Sequence, residues 1–360
     1  MAMADPSHHL SPESPAGNGR WRAASSGFIA AFILGVVVVA LSWVALIAGQ
    51  LGKAHPDNVW VKEAYDLKFA AAERLRGQRK VLAVGGSATM FGVDSQQLAL
   101  GLGLPVVNLG VNAGIGSYEV PAQVDRWIAA GDVVVMPLEY RLLLWDGVPS
   151  YVTLSWALEH PEALARWQLK TWLWGLVSLP LERVMQGYRG FDSQSLPKGP
   201  YGAHKLNALG DQTQTGARYR SDQQRQALID QPPERYDELY AQSDVGLAQW
   251  QHWWAQWQSR GACVVVVPPP FMAVPAYRTE AYTAFFDAIP SRVRARGVPY
   301  LGHPSDGFFP VEAMFDTNYH LTAESRATYT QWLTEALRAS DLNCFPERNQ
   351  GGVLRPPSGG

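Results

Sequence analysis

Lys80-Val81-Leu82-Ala83-Val84-Gly85-Gly86-Ser87-Ala88-Thr89 is the stretch that decides the fold class. Four consecutive apolar residues run into a pair of glycines, the pattern of a short buried strand ending in a tight turn. A strand with one wet face alternates apolar and polar side chains, whereas an unbroken apolar run has both faces covered. Three further runs share this character, at 105–109, 132–136 and 263–267, and a weaker fifth lies at 298–301. The segments between them carry a mostly helical period. The expected class is therefore α/β, a parallel sheet flanked by helices on both faces.

Ahead of the sheet, residues 28–49 contain no charged side chain. As a helix rising about 1.5 Å per residue they would reach roughly 33 Å, enough to cross a bilayer core. The stretch is longer than the roughly 7–15 apolar residues of a cleavable leader and follows a polar tail, so one uncleaved transmembrane helix is expected. Arg20 and Arg22 before it nearly balance Lys53 and Lys62 after it, and charge alone leaves the orientation open. A lone N-terminal span that carries a large domain commonly exports it. Residues after Gly49 are accordingly placed outside the cytoplasm, in the periplasm, with the single-pass anchor in the inner or cytoplasmic membrane. Residues 1–27, rich in Ser, Pro, Gly and His, read as a disordered tail, and 344–360, rich in Pro and Gly, as a flexible one.

The remaining 50–343 is long enough for one large domain with an insertion at about 141–260. The insertion is rich in tryptophan and has a polar, Gly-containing middle at 187–222. Trp250, Trp253, Trp254 and Trp257 fall at helical spacing before Gly261, which predicts a helix packed on the sheet and stopped at that glycine. Core packing is the stronger reading of these four, ahead of a sugar-stacking platform. Trp167, Trp172 and Trp174 suit a membrane-proximal or substrate-facing surface as well as a core.

With 30 basic and 32 acidic residues, a net charge of -2 and no basic run, the chain offers no electrostatic footprint for nucleic acid. Two cysteines, Cys263 and Cys344, encode neither a disulfide scaffold nor a zinc ribbon. Cys263 reads as core, so two unpaired thiols are expected, with one disulfide as the alternative in an oxidising compartment. His303 and the pair His8-His9 have no carboxylate or cysteine partners at metal-ligand spacing, and no metal is expected. The turn at 85–92 lacks a full G-x-G-x-x-G, which argues against a nucleotide; no cofactor is expected.

A serine becomes a nucleophile when a base takes its proton and donors face the oxyanion that forms. Ser87 stands at the carboxyl end of the first strand, where open parallel sheets place ligands, and its own N–H can be one oxyanion donor. Taken alone, Gly-Gly-Ser is equally a strand-ending turn whose serine caps a helix. Far downstream, Phe315-Asp316-Thr317-Asn318-Tyr319-His320-Leu321-Thr322 precedes a final helix at about 323–339, and a histidine there can swing over the sheet edge toward Ser87. Glu139, ending the third strand, is a candidate for orienting substrate or the Ser87 loop; an ordinary ion pair or an exposed carboxylate is the competing reading.

Gly86-Ser87 after the first strand, Asn108-Leu109-Gly110-Val111-Asn112-Ala113-Gly114 after the second, and Asp316 with His320 before the last helix resemble, in identity and order, the SGNH (GDSL-like) hydrolase superfamily. The match spans about 80–339 as ordered blocks, with none of it inside 141–260. The run 85–94, the second block, Gly-Asp-Val-Val-Val-Met-Pro-Leu-Glu-Tyr at 131–140 and the Asp-Thr-x-Tyr-His-Leu ending look most similar to a membrane-anchored branch, that of the teichoic acid D-alanyl transfer and alginate O-acetylation proteins. The resemblance implies a three-layer, flavodoxin-like sheet, with Ser87 as nucleophile, His320 as base and Asp316 as its orienting carboxylate. It implies further that Gly110 and Asn112, with Gly114 as the alternate, complete the oxyanion hole. Two departures stand out. Asp316 and His320 are four apart where three is usual, with Asp306 as a fallback. The usual Gly-x-Asn-Asp third block is replaced by Met136-Pro137-Leu138-Glu139-Tyr140, so that one oxyanion donor is lost or is supplied by Asn112.

The activity so implied is serine-dependent acyl transfer of the O-acetylation type, or ester hydrolysis, on a cell-surface or secreted polysaccharide. An acyl-ester substrate and a multi-span membrane acyltransferase are the partners this suggests, alongside the membrane itself through the N-terminal helix. The competing reading, motivated by the two departures, is a non-catalytic binding or assembly protein of an envelope polysaccharide complex on the same fold.

Overall fold

In the computed structural model the four strong apolar runs form β1 (Val81–Ala83), β2 (Val106–Asn108), β3 (Val133–Pro137) and β4 (Cys263–Val267). All are parallel, in the order β2-β1-β3-β4. The structure describes residues 18–236, 243–342 and 344–345. The register sets Ala83 beside Asn108 on one side and Val135 on the other. The segments that follow β1, β2 and β3 therefore leave the sheet side by side at its carboxyl edge.

The pleat sorts the strand residues between two apolar cores. Leu82, Val107, Val134 and Val264 belong to one cluster; Val81, Ala83, Val106, Val133, Val135 and Val265 belong to the other. The first cluster is closed by α2 (Pro56–Arg74), through Val61, Ala64 and Tyr65, and by the tryptophan helix (Val245–Ser259). The second is closed by α4 (Ser95–Leu102), through Leu98, and by the C-terminal helix (Ala323–Ala339), through Tyr329, Leu333 and Leu337. Both faces of the sheet are dry, as unbroken apolar strands require. The fifth run contributes less than a strand: one parallel bridge joins Tyr300 to Val266 at the sheet edge.

Trp250, Trp254 and Trp257 are fully buried, and each indole N–H finds an acceptor, at Leu142 O, Met136 Sδ and Asp125 Oδ1 respectively. Trp253 is partly buried against the same core. A buried indole with its donor satisfied is structural material. The helix stops where Gly261 takes φ +89°, a conformation open chiefly to glycine. Within the insertion, Trp167 is buried while Trp172 and Trp174 face outward. Two short helices, α5 (Glu119–Val124) and α6 (Tyr140–Leu143), flank β3, and the insertion contributes α7 (Tyr151–Glu159), α8 (Leu169–Ser178), α9 (Leu181–Arg189) and α10 (Asp222–Ile229). At the opposite end from the carboxyl edge, buried Lys80 and Asp132 pair at 2.8 Å and clamp the starts of β1 and β3.

The N-terminal helix α1 runs Asn18–Ala48, and its segment Gly27–Ala48 is long and apolar enough to cross a membrane. It starts inside the 1–27 stretch expected to be disordered, because no proline stands between Asn18 and Ala48 to end a helix once nucleated. Residues 1–17 of that expected tail, with His8-His9, lie outside the described residues, as do 346–360 of the C-terminal one.

The expectation of two unpaired thiols is overturned. Cys263 and Cys344 form a disulfide with Cα atoms 5.9 Å apart. Cys263 opens an edge strand, and the C-terminal helix brings the chain back along the same face, so that Cys344 packs in the second core cluster. Cys344 is thus a fixed residue where a flexible tail was expected. The bridge closes a loop of 81 residues, for which loss of chain entropy in the unfolded state is worth about 2–4 kcal/mol. The double variant Cys263→Ala/Cys344→Ala should lose stability of that order in a denaturant titration, and thiol titration of the unreduced, unfolded protein should find no free thiol.

Candidate active site

The turn after β1 is built by close approach. A Cβ at Gly86 would lie 2.6 Å from Ala113 N and 2.4 Å from Glu139 Oε1, so only glycine lets the three segments leaving the sheet meet. Gly86 is the N-cap of α3 (Ser87–Gly92), and Ser87 is its first residue, so the serine hydroxyl is not spent on capping. Among the described residues Ser87 Oγ makes no hydrogen bond. Ser87 is half-buried and lines a cleft of about 330 Å³ together with Trp60, Asn112, Glu139, Tyr201 and His320.

Glu139 follows β3 and is 3% exposed. One carboxylate oxygen accepts Gly86 N at 3.1 Å and the other accepts Ala88 N at 2.7 Å. The two amides on either side of Ser87 are therefore held by one side chain, and the geometry is that of a tie on the Ser87 turn. Burial pushes the Glu139 carboxyl up to about 7, against the downward pull of the Ala88 and Gly86 amides.

His320 and Asp316 meet at 2.7 Å, Nδ1 to Oδ1. The four-residue spacing is absorbed by a closed turn: Phe315 N donates to His320 O at 2.6 Å, and Met314 and Leu321 form an antiparallel bridge. With a carboxylate as acceptor, Nδ1 carries the proton and Nε2 keeps its lone pair, the tautomer a base needs. Phe91 stacks flat on the imidazole with ring centres 3.8 Å apart, and Tyr201 meets it edge-on at 5.8 Å. Tyr201 also donates to Asp316 Oδ2 at 2.6 Å. Burial and the adjacent Asp316 charge raise the Tyr201 hydroxyl above its ordinary range, so it remains a donor. The loop is tied on its far side by Asn318 Nδ2 donating to Glu234 Oε1 at 2.8 Å and by Met272 N donating to Asn318 O at 2.8 Å.

The cleft thus gathers Ser87, His320, Asn112 and Glu139, with Asp316 behind His320. Gly110 and Gly114 are placed otherwise. Gly110 N donates to Asn108 Oδ1 at 3.0 Å, and a Cβ there would meet Thr89 Cβ at 2.5 Å, so Gly110 is a packing glycine beneath α3. Gly114 N donates to Asn112 Oδ1 at 2.8 Å. That bond engages the Asn112 carbonyl and leaves its amide nitrogen as the donor available at the cleft wall. Asp306 caps a turn by accepting His303 N at 2.8 Å and stays out of the cleft. Exposed His303 contacts Asp287 at 3.0 Å, and among the described residues no three His, Cys, Asp or Glu side chains gather as a metal site.

Sequence reasoning missed Phe91, Tyr201, Glu234 and Arg141, whose Nε pairs with Glu234 Oε2 at 2.8 Å on the cleft wall. Phe91 carried a signal, since it lies four residues after Ser87 on the same short helix. Tyr201 and Glu234 carried none, because they come from the insertion. No family model matches this chain, and no curated protein matches it significantly.

Glu139 makes stability depend on pH in a defined sense. The unfolded chain releases this proton near the ordinary glutamate value and the folded chain near 7. Between those values the folded state binds more protons, so this stabilisation is complete below about 4.5 and is lost as pH rises to about 7. Melting curves from pH 4 to 8 should show Glu139→Gln gaining on the parent as pH rises, by a difference on the order of 3 kcal/mol. Parallel pH profiles for the two proteins would refute this account of Glu139.

Proposed function

We propose that the protein is a serine-dependent acyl-transfer enzyme of the SGNH type, with Ser87 as nucleophile, His320 as base and Asp316 as the carboxylate that orients it. The observation that carries this reading is the His320–Asp316 pair at 2.7 Å in the same cleft as an unengaged serine hydroxyl. In the reaction, Ser87 Oγ attacks the carbonyl carbon of an acyl ester while its proton passes to His320 Nε2. The oxyanion takes hydrogen bonds from Ser87 N–H and the Asn112 amide nitrogen. Collapse expels the alkoxide, which recovers the proton from the imidazolium and leaves an ester on Ser87. A sugar hydroxyl or water then attacks that ester and gives its proton to His320; collapse breaks the bond from the acyl carbon to Ser87 Oγ, and the imidazolium returns the proton to the serine.

Glu139 and Tyr201 act through others in this scheme. Glu139 replaces the usual third block: where an asparagine would supply an oxyanion donor, a carboxylate fixes the amides flanking the nucleophile. Tyr201 holds the second oxygen of Asp316. The three-layer, flavodoxin-like SGNH architecture suits a parallel sheet with a separate apolar core on each face. The disulfide supports an oxidising, extracytoplasmic compartment, and the apolar N-terminal helix supports tethering at the inner or cytoplasmic membrane. A tethered catalyst suits transfer of an O-acetyl-type group to a cell-surface or secreted polysaccharide, with acyl groups supplied by a multi-span membrane acyltransferase.

The competing reading, a non-catalytic binding or assembly protein, draws on one feature: among the described residues Ser87 and His320 share a cleft without a hydrogen bond between them. A fluorophosphonate probe separates the two. The full-length protein should label at Ser87, and labelling should vanish in Ser87→Ala while surviving in Ser305→Ala. Absence of labelling of the folded protein at every pH from about 6 to 9 would leave the binding module. In a p-nitrophenyl acetate assay His320→Ala should lose at least about 10³-fold in kcat. Tyr201→Phe, which keeps the ring and removes one charge-assisted hydrogen bond, should lose roughly tenfold.

A further inference from the structure

Helices α8 and α9 carry their apolar side chains on the outside. In α8, Leu169, Leu173 and Val177 recur four residues apart, flanked by Trp172 and Trp174; in α9, Leu181, Met185 and Tyr188 are spaced four and three apart, again along one side of a helix. All eight are between 36 and 76% exposed. The inward faces are made by Thr171 and Gly175 of α8 and by Arg183, Val184 and Gly187 of α9. A helix surrounded by water turns such a stripe toward the core. Two consecutive helices that both present apolar side chains outward mark a contact surface.

The chain itself points to the occupant. Gly52 N donates to Leu158 O at 2.8 Å, and the Lys53 ammonium stands 4.5 Å from the centre of the Tyr188 ring on α9. Gly52 is the fourth residue after Ala48, the end of the apolar segment. At no more than about 3.6 Å per residue, Gly52, where the domain grips the chain, is within roughly 15 Å of that segment's end. The patch begins at that grip. Its composition is that of a bilayer interface: aliphatic residues for the acyl boundary, Trp172, Trp174 and Tyr188 for the headgroup level, and Lys53, Lys170 and Arg189 at its margins for lipid phosphates.

We propose that the exposed apolar face of α8 and α9 is a second membrane contact, seated in the lipid interface in addition to the apolar anchor. The domain then rests on the bilayer instead of swinging on a single tether, and the cleft is held at a set height above the membrane. This contact is independent of any chemistry at Ser87.

The test uses the full-length protein in nanodiscs of phosphatidylethanolamine and phosphatidylglycerol that include a diazirine-bearing phospholipid, irradiated and mapped by mass spectrometry. Lipid adducts are expected in peptides covering 169–189 as well as in the anchor. In Leu173→Glu/Val177→Glu, whose altered positions are exposed and whose fold is checked by circular dichroism, adducts at 169–189 should fall severalfold while those in the anchor persist. Ser87→Ala should label as the parent does. Adducts confined to the anchor, or undiminished at 169–189 in the double variant, overturn the proposal. So does a face that takes no lipid in nanodiscs and cross-links to a protein in native membranes.

Discussion

Everything at the carboxyl edge of the sheet depends on one buried carboxylate. Glu139 reaches from the end of β3 to the turn after β1 and takes both amides that flank Ser87. A buried carboxylate without partners would be costly, and two unpaired amides at the start of a six-residue helix would be costly as well. Each offsets part of the cost of the other, and the two bonds together fix the turn. The glycine at 86 is a consequence: the tie is so short that no side chain fits between Glu139 and Ala113.

A second carboxylate plays the complementary part on the facing loop. Asp316 fixes the imidazole through one oxygen and is itself fixed through the other by Tyr201. With Phe91 against the ring face, the imidazole is constrained in plane and in rotation. A third, Glu234, gathers Asn318, Tyr236 and Arg141 and so pins the segment just ahead of His320. Three carboxylates thus order two loops that are more than two hundred residues apart in the chain, and each sits where its charge is met by donors.

The fold was legible where burial alone writes the sequence. The four apolar runs became β1 to β4 because a strand dry on both faces has no freedom to vary its polarity, and Trp250, Trp254 and Trp257 announced a core helix by spacing alone. Ser87 and Glu139 stood out because glycines and strand ends mark where segments converge, His320 because it lies just ahead of the last helix, and Asp316 only through the resemblance. What stayed hidden was non-local. Neither Cys263 nor Cys344 carries a local sign of its partner, since their meeting depends on the path of the last helix. Gly110 looked like an oxyanion donor because a glycine for close packing and a glycine for an exposed amide are the same letter; only the bond to Asn108 tells them apart.

The insertion is the part whose sequence was least informative and whose structural consequences reach furthest. Its residues carry no block of the resemblance, yet Tyr201 backs the His320–Asp316 pair and Glu234 anchors the same loop. The same segment turns an apolar stripe outward on α8 and α9. One stretch of chain therefore both completes the site and offers a surface to the outside. Tyr201 is the one described side chain that hydrogen-bonds the second oxygen of Asp316, so the setting of the imidazole depends on a segment far in sequence from both loops. The sheet fixes where Ser87 stands, and the insertion helps to hold His320 through Asp316.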